Sequence, residues 1–511
     1  MPGCIYIVDG GKFTVNRAEL GWFHSFLTGW NTEFGGDTMN IREAIHQTEI
    51  ALRAYLARDE RGMPLIPIES QRPIYLLGAP GVGKTAAAEE VARHLDVGLV
   101  SYTLTHHTRQ SALGLPQIVA RTFEGREMAV TEYTTSEIIA GVYRYMEETG
   151  RTRGILFLDE INCVSETLLP AIMELLQHKR FGEQRVPDGW MIVCAGNPEK
   201  FNRSARAFDP VALDRVRVLR VEPDLNAWLK FAVEMGVNPV IRSYLTLSPD
   251  DFYLIAPDGA ITPRSWTDLS RMIAALETLG ETPEEALFEQ YLQYPDVCRR
   301  FSMYEKLCRG TMRSIDLNAV LAGDVGCAGE FAGKTFEETL FAAELLVDRL
   351  IRDMTDADFV RETAIRLSQF VDGAVRSGGT LASVCREQLS RRERALAIRK
   401  NAGGLSEVDE RRERILIDRI REMIGSAAAG EDFVDGLNRL LESAKESGES
   451  AEEKAKSRAE NALSFMENAL PHRIQIVMLS ELVHCEAARQ FLKRVLPERL
   501  GELEKKLKPE K

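Results

Sequence analysis

The tightest constraint on this chain is an eight-residue stretch, Gly78-Ala79-Pro80-Gly81-Val82-Gly83-Lys84-Thr85. It has the Gly-x-x-x-x-Gly-Lys-Thr spacing of a phosphate loop. Its flanks decide what the spacing means. Ile74-Tyr75-Leu76-Leu77 before it reads as a buried strand, and the Ala-rich residues 86–95 after it read as a helix. A chance Gly-rich turn needs neither. Gly78, Gly81 and Gly83 allow backbone angles closed to other residues. The loop N–H groups can then turn inward and, with the helix N-terminus, surround a polyphosphate. Lys84 would reach the β- and γ-phosphates, and the Thr85 hydroxyl would hold Mg²⁺. A strand, loop and helix in this order predict an α/β fold: a P-loop core with a parallel sheet between helices.

A second anchor is residues 154–160, Gly-Ile-Leu-Phe-Leu-Asp-Glu. Four consecutive apolar residues predict a strand buried on both faces of a parallel sheet. The two carboxylates fall at its C-terminal end, where open α/β sheets bind ligands. There Asp159 would serve the Mg²⁺ shell, usually through water, and Glu160 would orient and deprotonate an attacking water. The competing reading is a pair that caps the next helix. Residues 190–195 predict a third buried strand, followed at once by Gly196-Asn197-Pro198. Asn197 could position the water, or serve only the turn that Asn-Pro favours.

Two further positions are candidates. Residues 208–221 predict a helix ending at Leu213-Asp214-Arg215 and then a strand. Arg215 at that corner could reach a neighbouring subunit's phosphate; alone, it reads more readily as a surface charge. Thr262-Pro263-Arg264 opens a helix running to Leu279, with Thr262 as cap and Pro263 in the first turn. A cation at that end opposes the helix dipole, so a ligand phosphate is a physical reason for Arg264.

At 511 residues the chain is too long for one core. The expected parts are an N-terminal arm (1–38), a P-loop core (39–222), a helical lid (223–280), a linker region (281–334) and an all-α C-terminal domain (335–511). The net charge of −13 argues against nucleic acid or an anionic membrane as partner. The eight cysteines form no Cys-x-x-Cys pair, which points to a reducing, cytoplasmic setting. No apolar run reaches the ~20 residues of a membrane span.

Residues 4–8 could be a short strand, and residues 22–30 are aromatic and apolar. Met39 begins an amphipathic helix with Ile41, Ile45, Thr48, Ala51, Leu52 and Tyr55 on one side. One reading takes Met39 as the translation start; the other keeps residues 1–38 as an extra arm. His106-His107 read as surface residues and not as a metal pair. Residues 109–140 read as an insertion with a hairpin or loops, β-leaning over 128–135. Residues 328–335, Ala-Gly-Glu-Phe-Ala-Gly-Lys-Thr, imitate a phosphate loop without a preceding buried strand, and are read as a linker entering a helix. Amphipathic helices are expected at 335–353, 356–377, 381–400, 407–425 and 433–445. Residues 447–461 are expected to be a charged linker or solvated helix, and 474–496 a helix pair or one bent helix. The basic run 386–399 reads as a solvated helix face.

Taken in this order, residues 39–279 resemble an AAA+ ATPase, and within that class the MoxR group, related to the magnesium chelatase and dynein-related ATPases. The resemblance makes residues 78–85 Walker A and 155–160 Walker B. It makes Asn197 sensor 1, Arg215 the arginine finger given to the next subunit, and Arg264 sensor 2. Leu113-Gly114-Leu115-Pro116 resembles the segment before that group's helix-2 hairpin. It implies ATP and Mg²⁺ as ligands and a homo-oligomeric ring, often a hexamer. It also implies hydrolysis that remodels or activates a protein partner, commonly one with a von Willebrand factor A-type domain. Val-Arg-Val follows the finger where relatives commonly have Phe, so Arg217 competes with Arg215. An ATP-binding switch with little hydrolysis and a DNA-directed ATPase are the alternatives.

Overall fold

The computed structural model describes residues 38–106, 112, 114–123, 126–181, 184–256, 259–324, 326, 328–331, 333–376, 381–401, 407–427 and 433–507. The readings on residues 4–8, on 22–30, on an N-terminal arm or alternative start, and on His107 and Leu113 lie outside them. Five strands form a parallel run at the centre: β2 (Ile74–Gly78), β3 (Gly98–Thr103), β6 (Gly154–Asp159), β9 (Trp190–Gly196) and β10 (Arg217–Val221). With the two-residue β1 (Thr38–Met39) they make a six-stranded sheet in the order β1-β10-β2-β9-β6-β3. Pairing is parallel from β10 to β3.

The continuous apolar runs are explained by burial on both faces. Ile155 and Phe157 of β6 pack with Ile74, Leu76, Val193 and Ala195 on one face. Leu156 and Leu158 pack with Tyr75, Ile192 and Cys194 on the other. Each such side chain contributes about 1.5–3 kcal/mol when fully buried. The first face is covered by the helices Ile41–Leu56 and Lys84–His94, through Ala44, Leu52, Ala88 and Val91. The second is covered by Glu137–Thr149 and Leu169–His178, through Ile138, Val142, Ile172 and Leu175.

The first helix begins at Ile41 and not at Met39, because Asn40 closes a capping box with Glu43 (3.0 and 2.9 Å). The insertion is a free-standing hairpin of β4 (Pro116–Phe123) and β5 (Arg126–Tyr133), earlier than the expected β-leaning 128–135. Among the described residues, the regular structure outside the sheet and this hairpin is helical except for two short ribbons, β7–β8 (Arg180–Phe181, Gln184–Arg185) and β11–β12 (Leu254–Ala256, Gly259–Ile261).

The lid core gathers Trp228, Ile241, Tyr244, Trp266 and Leu269. The expected linker 281–334 differs from a linker. Its helices Glu285–Leu292 and Pro295–Met312 bury Phe288, Leu292, Val297 and Phe301 in that same core. The phosphate-loop mimic is a helix entry: Thr335 and Glu338 cap the next helix reciprocally (2.9 and 3.2 Å). That helix, Phe336–Arg376, is continuous across the break expected near residue 355. Its partner Phe433–Ala469 is continuous through residues 447–461, so of the linker and the helix expected there it is the helix that forms. The two pack with helices His472–His484, Glu486–Val495 and Pro497–Lys506. The hairpin of helices Leu381–Asn401 and Glu407–Ala427 reaches back to helix Glu137–Thr149, with Ile398 packed against the core on that side of the sheet. No described helix is long and apolar enough to cross a membrane.

Candidate functional site

Strand register gathers the candidate residues at one edge of the sheet. Leu77 of β2 pairs with Gly196 of β9, so the loop after Gly78 leaves beside Asn197. Thr103 of β3 pairs with Asp159 of β6. The loop itself needs its glycines. Gly81 and Gly83 have φ of 75° and 96°, and Gly83 caps the helix that starts at Lys84. A Cβ on Gly78 would lie 2.6 Å from the Val221 carbonyl oxygen of β10. A Cβ on Gly81 would lie 2.7 Å from Thr262, the cap of the lid helix. The loop is therefore packed directly against the start of the lid. Ala79 and Val82 are buried beneath it, and Pro80 is half-buried.

Lys84 is 8% exposed, and its ammonium donates to the carbonyls of Gly78 (2.8 Å) and Ala79 (2.9 Å) and to Asn197 Oδ1 (2.8 Å). Burial lowers its pKa to about 8; Arg264 pushes the same way and Asp159 opposes. Arg264 is exposed at the first turn of the lid helix Pro263–Leu279, yet close enough for its charge to be felt at Lys84.

The Thr85 hydroxyl donates to Asp159 Oδ2 at 3.2 Å. This pair offers two oxygens of the kind a hard cation takes. Among the described residues no group of three or more His, Cys, Asp or Glu is set to hold a metal. A cation held by Thr85 and Asp159 would complete its shell with phosphate oxygens and water, which is the habit of Mg²⁺. Glu160 sits at φ 55°, ψ 36°, a strained conformation for a residue with a side chain. Its N–H donates to Asp159 Oδ1 (2.8 Å), and its Oε2 accepts from the Thr105 hydroxyl (2.7 Å). That places the carboxylate at the rim and not in a capping bond, so the capping alternative fails.

Two residues at this edge escaped the sequence reading. Thr105 follows β3 and holds Glu160. Asn162, 4% exposed in the turn after Glu160, holds the Asn197 backbone at 2.8 and 3.3 Å. Their only signal in the sequence is a polar residue at a strand end and an Asn two positions past the carboxylate pair.

Arg215 is the C-cap of the short helix Pro210–Asp214, whose N-cap Asp209 accepts from the Ala212 N–H (2.7 Å). It is half-buried and has no ion-pair partner among the described residues. Arg217 lies two residues on, inside β10 beside Ile74. Its backbone is fixed in the ladder, whereas Arg215 lies outside it.

Residues 68–199 match the family model described as AAA domain. No curated protein matches the chain. Among solved structures, NtrX from Brucella abortus in complex with ADP is similar over 52% of this chain and 54% of that one, at 14% identity and a TM-score of 0.27. A RuvB variant from Thermotoga maritima is similar over 59% of this chain and 88% of that one, at 16% identity and a TM-score of 0.28. The chain thus spans about half the length of the NtrX chain it matches. The phosphate loop, Asp159, Glu160 and Asn197 all fall within residues 68–199, the part of the chain that matches the AAA-domain model.

Proposed function

We propose that this protein hydrolyses ATP, with Mg²⁺, and uses the cycle to remodel or activate a protein partner as a member of the MoxR-like AAA+ group. The observation that carries the reading is the convergence of Lys84, Thr85, Asp159, Glu160 and Asn197 on one sheet edge around a left-handed Gly loop. In this mechanism the loop N–H groups and the Lys84 ammonium cradle the β- and γ-phosphates, with Lys84 exchanging its loop carbonyls for phosphate oxygens. Thr85 and Asp159 hold the Mg²⁺. Held there, Mg²⁺ would supply neutralisation of the charge that develops on the transferred phosphoryl group. Glu160 takes a proton from the attacking water, and Thr105 sets the direction of its carboxylate. Asn197 fixes the water's approach. Arg264 reads the γ-phosphate from the lid, whose cap already touches the loop at Gly81.

Arg215 acts on the neighbour's phosphate in a homo-oligomeric ring, with a hexamer as the expected size. Its position outside the β-ladder favours it over Arg217. An arginine supplied in this way contributes about 10³-fold or more in rate. The β4–β5 hairpin supports a protein partner over a nucleic-acid one. It stands out from the core with Ile118 81% exposed and Phe123 and Met128 exposed, while Arg121 is neutralised by Glu132 (2.7 Å). A von Willebrand factor A-type domain is the expected partner class.

The test is ATP turnover per protomer across a dilution series, with Arg215→Ala and Glu160→Gln beside it. Turnover that rises with concentration and is lost in both variants supports a ring with fingers in trans. Tight ATP binding with flat, near-zero turnover overturns it in favour of a switch.

A further inference from the structure

Asn162 joins two segments that have different jobs. Its side-chain Nδ2 donates to the Asn197 carbonyl (2.8 Å) and to the Arg206 carbonyl (3.3 Å). Its Oδ1 accepts from the Asn197 N–H (3.3 Å), and its own carbonyl accepts from the Arg206 N–H (2.9 Å). One buried amide thus clamps the peptide units of Asn197 and Arg206 at once. The fit leaves no slack. A Cβ on Gly196 would lie 2.5 Å from Asn162 Oδ1.

Neither clamped segment is otherwise loose. Asn197 Oδ1 receives the Lys84 ammonium, so that peptide moves with whatever engages the phosphate loop. Arg206 stands in the loop that runs from Pro198 to the Asp209 cap and so sets where Arg215 leaves the subunit. The same loop is stitched again by Asn202 to Cys163 Sγ (3.3 Å) and by the Ala207 N–H to Glu199 (2.8 Å). It is a braced element and not a floppy connection.

We propose that Asn162 is a positioning residue that couples the phosphate-reading Asn197 of one subunit to the Arg215 which that subunit presents to its neighbour. The coupling rests on the trans-finger reading above. When Asn197 shifts on gain or loss of a γ-phosphate, the Asn162 amide carries the shift to Arg206 and from there to Arg215. Each site then reports its nucleotide state to the site next door.

The experiment mixes full-length subunits and reads ATP turnover. Arg215→Ala subunits lack the finger, and Glu160→Gln subunits lack the base but keep the finger. Mixed together, they should recover activity that neither has alone. The donor is then replaced by Glu160→Gln/Asn162→Ala. Recovery should fall about tenfold or more, since small misplacements of a reacting group cost that much, while ATP affinity and assembly of the donor stay unchanged. Asn162→Asp keeps the shape but turns the donor into a third acceptor facing two carbonyls, and should fail in the same way. It keeps the test decisive if the alanine variant folds poorly. Glu160→Gln/Glu166→Ala, which removes only the exposed Arg206–Glu166 pair, should recover fully. Undiminished recovery with either Asn162 variant as donor overturns the proposal. No recovery in the first mixture sinks the trans-finger reading itself, and the coupling with it.

Discussion

The lowered pKa of Lys84 makes nucleotide binding a proton-linked event, and its size follows from the site. Burial, with Arg264 adding repulsion, brings the ammonium to about 8 from 10.5, against the pull of Asp159. A fall of that size corresponds to about 3 kcal/mol for holding the charge in the folded protein at neutral pH. The unfolded chain binds the extra proton between about pH 8 and pH 10.5, so this cost is fully present below pH 8 and is relieved as pH rises through that window. A polyphosphate in the loop restores the charged form. At pH 9 only about one tenth of the free protein carries the proton, so binding should take up about 0.9 proton and weaken about tenfold relative to pH 7. Isothermal titration calorimetry in two buffers of different ionisation heat measures the uptake directly. Lys84→Arg keeps a permanent charge and should take up none. Lys179, also brought to about 8 by burial, serves as an internal contrast. It bonds Gln71 (2.8 Å) and the Trp190 carbonyl at the opposite end of the sheet, so it enters the stability profile and not the binding linkage. Wild-type uptake near zero at pH 9 would refute the reasoning.

Two substitutions probe the packing around this site. Gly81→Ala combines a left-handed φ of 75° with a Cβ 2.7 Å from Thr262; the conformation alone costs about 1–2 kcal/mol, and the collision drives the lid off the loop, so ATP affinity should drop about tenfold or more. Gly62→Ala has a φ of 79° with nothing within 4 Å, so it should lower the melting temperature and leave affinity unchanged. Arg242→Met strands Glu344, which it meets at 3.0 Å with no exposure of its own, while Asp348 keeps Arg352 (2.7 Å); urea unfolding should show a loss of about 3–5 kcal/mol, partly returned when Glu344→Leu is added.

The parts of the fold that could be read from the sequence are those where one physical demand dominates a short window. Residues 155–158 are all apolar because β6 is covered on both faces, and the Thr262-Pro263 cap announces its helix in two residues. The hairpin was harder. Its strands face solvent, with only Val119 and Val130 half-buried as a cross-strand pair, so alternation is faint. Residues 447–461 read as either a linker or a solvated helix because they are crowded with charge. The helix persists there because Ala455, Ala459 and Ala462 let it lie close against helix Phe336–Arg376. At the break expected near residue 355, Thr355 bonds the Ile351 carbonyl (2.7 Å) and stays within the helix. Thr105 and Asn162 were missed for another reason. Their partners lie 55 and 35 residues away, so no local pattern carries them.

The strengths of the boundaries fix where this molecule can bend. Between lid and C-terminal bundle the cores interpenetrate. Phe341 is buried in the lid core, while its neighbours Leu340 and Ala342 are buried in the bundle, and Val233 of the lid sits in the bundle core. Arg242 of the lid is enclosed with Glu344 and Asp348 of the bundle, and Glu481 from a second bundle helix adds a carboxyl whose pKa is driven up by burial and by Glu344. Opening this boundary would expose apolar surface and unpair a buried cation. Between sheet and lid, Tyr253 of the lid packs against the sheet-face core, and the polar side-chain links include Asn40 to Asp224 (3.3 Å) and Arg42 to Glu234 (3.3 Å), both partly solvated. Contacts of that kind are worth about 1 kcal/mol or less. A shift of Thr262 at the phosphate loop is therefore taken up between β10 and the lid. If the lid moves, the interlocked cores should carry the bundle with it, and the motion should register where the helix bearing Ile398 packs against Glu137–Thr149 on the far side of the sheet.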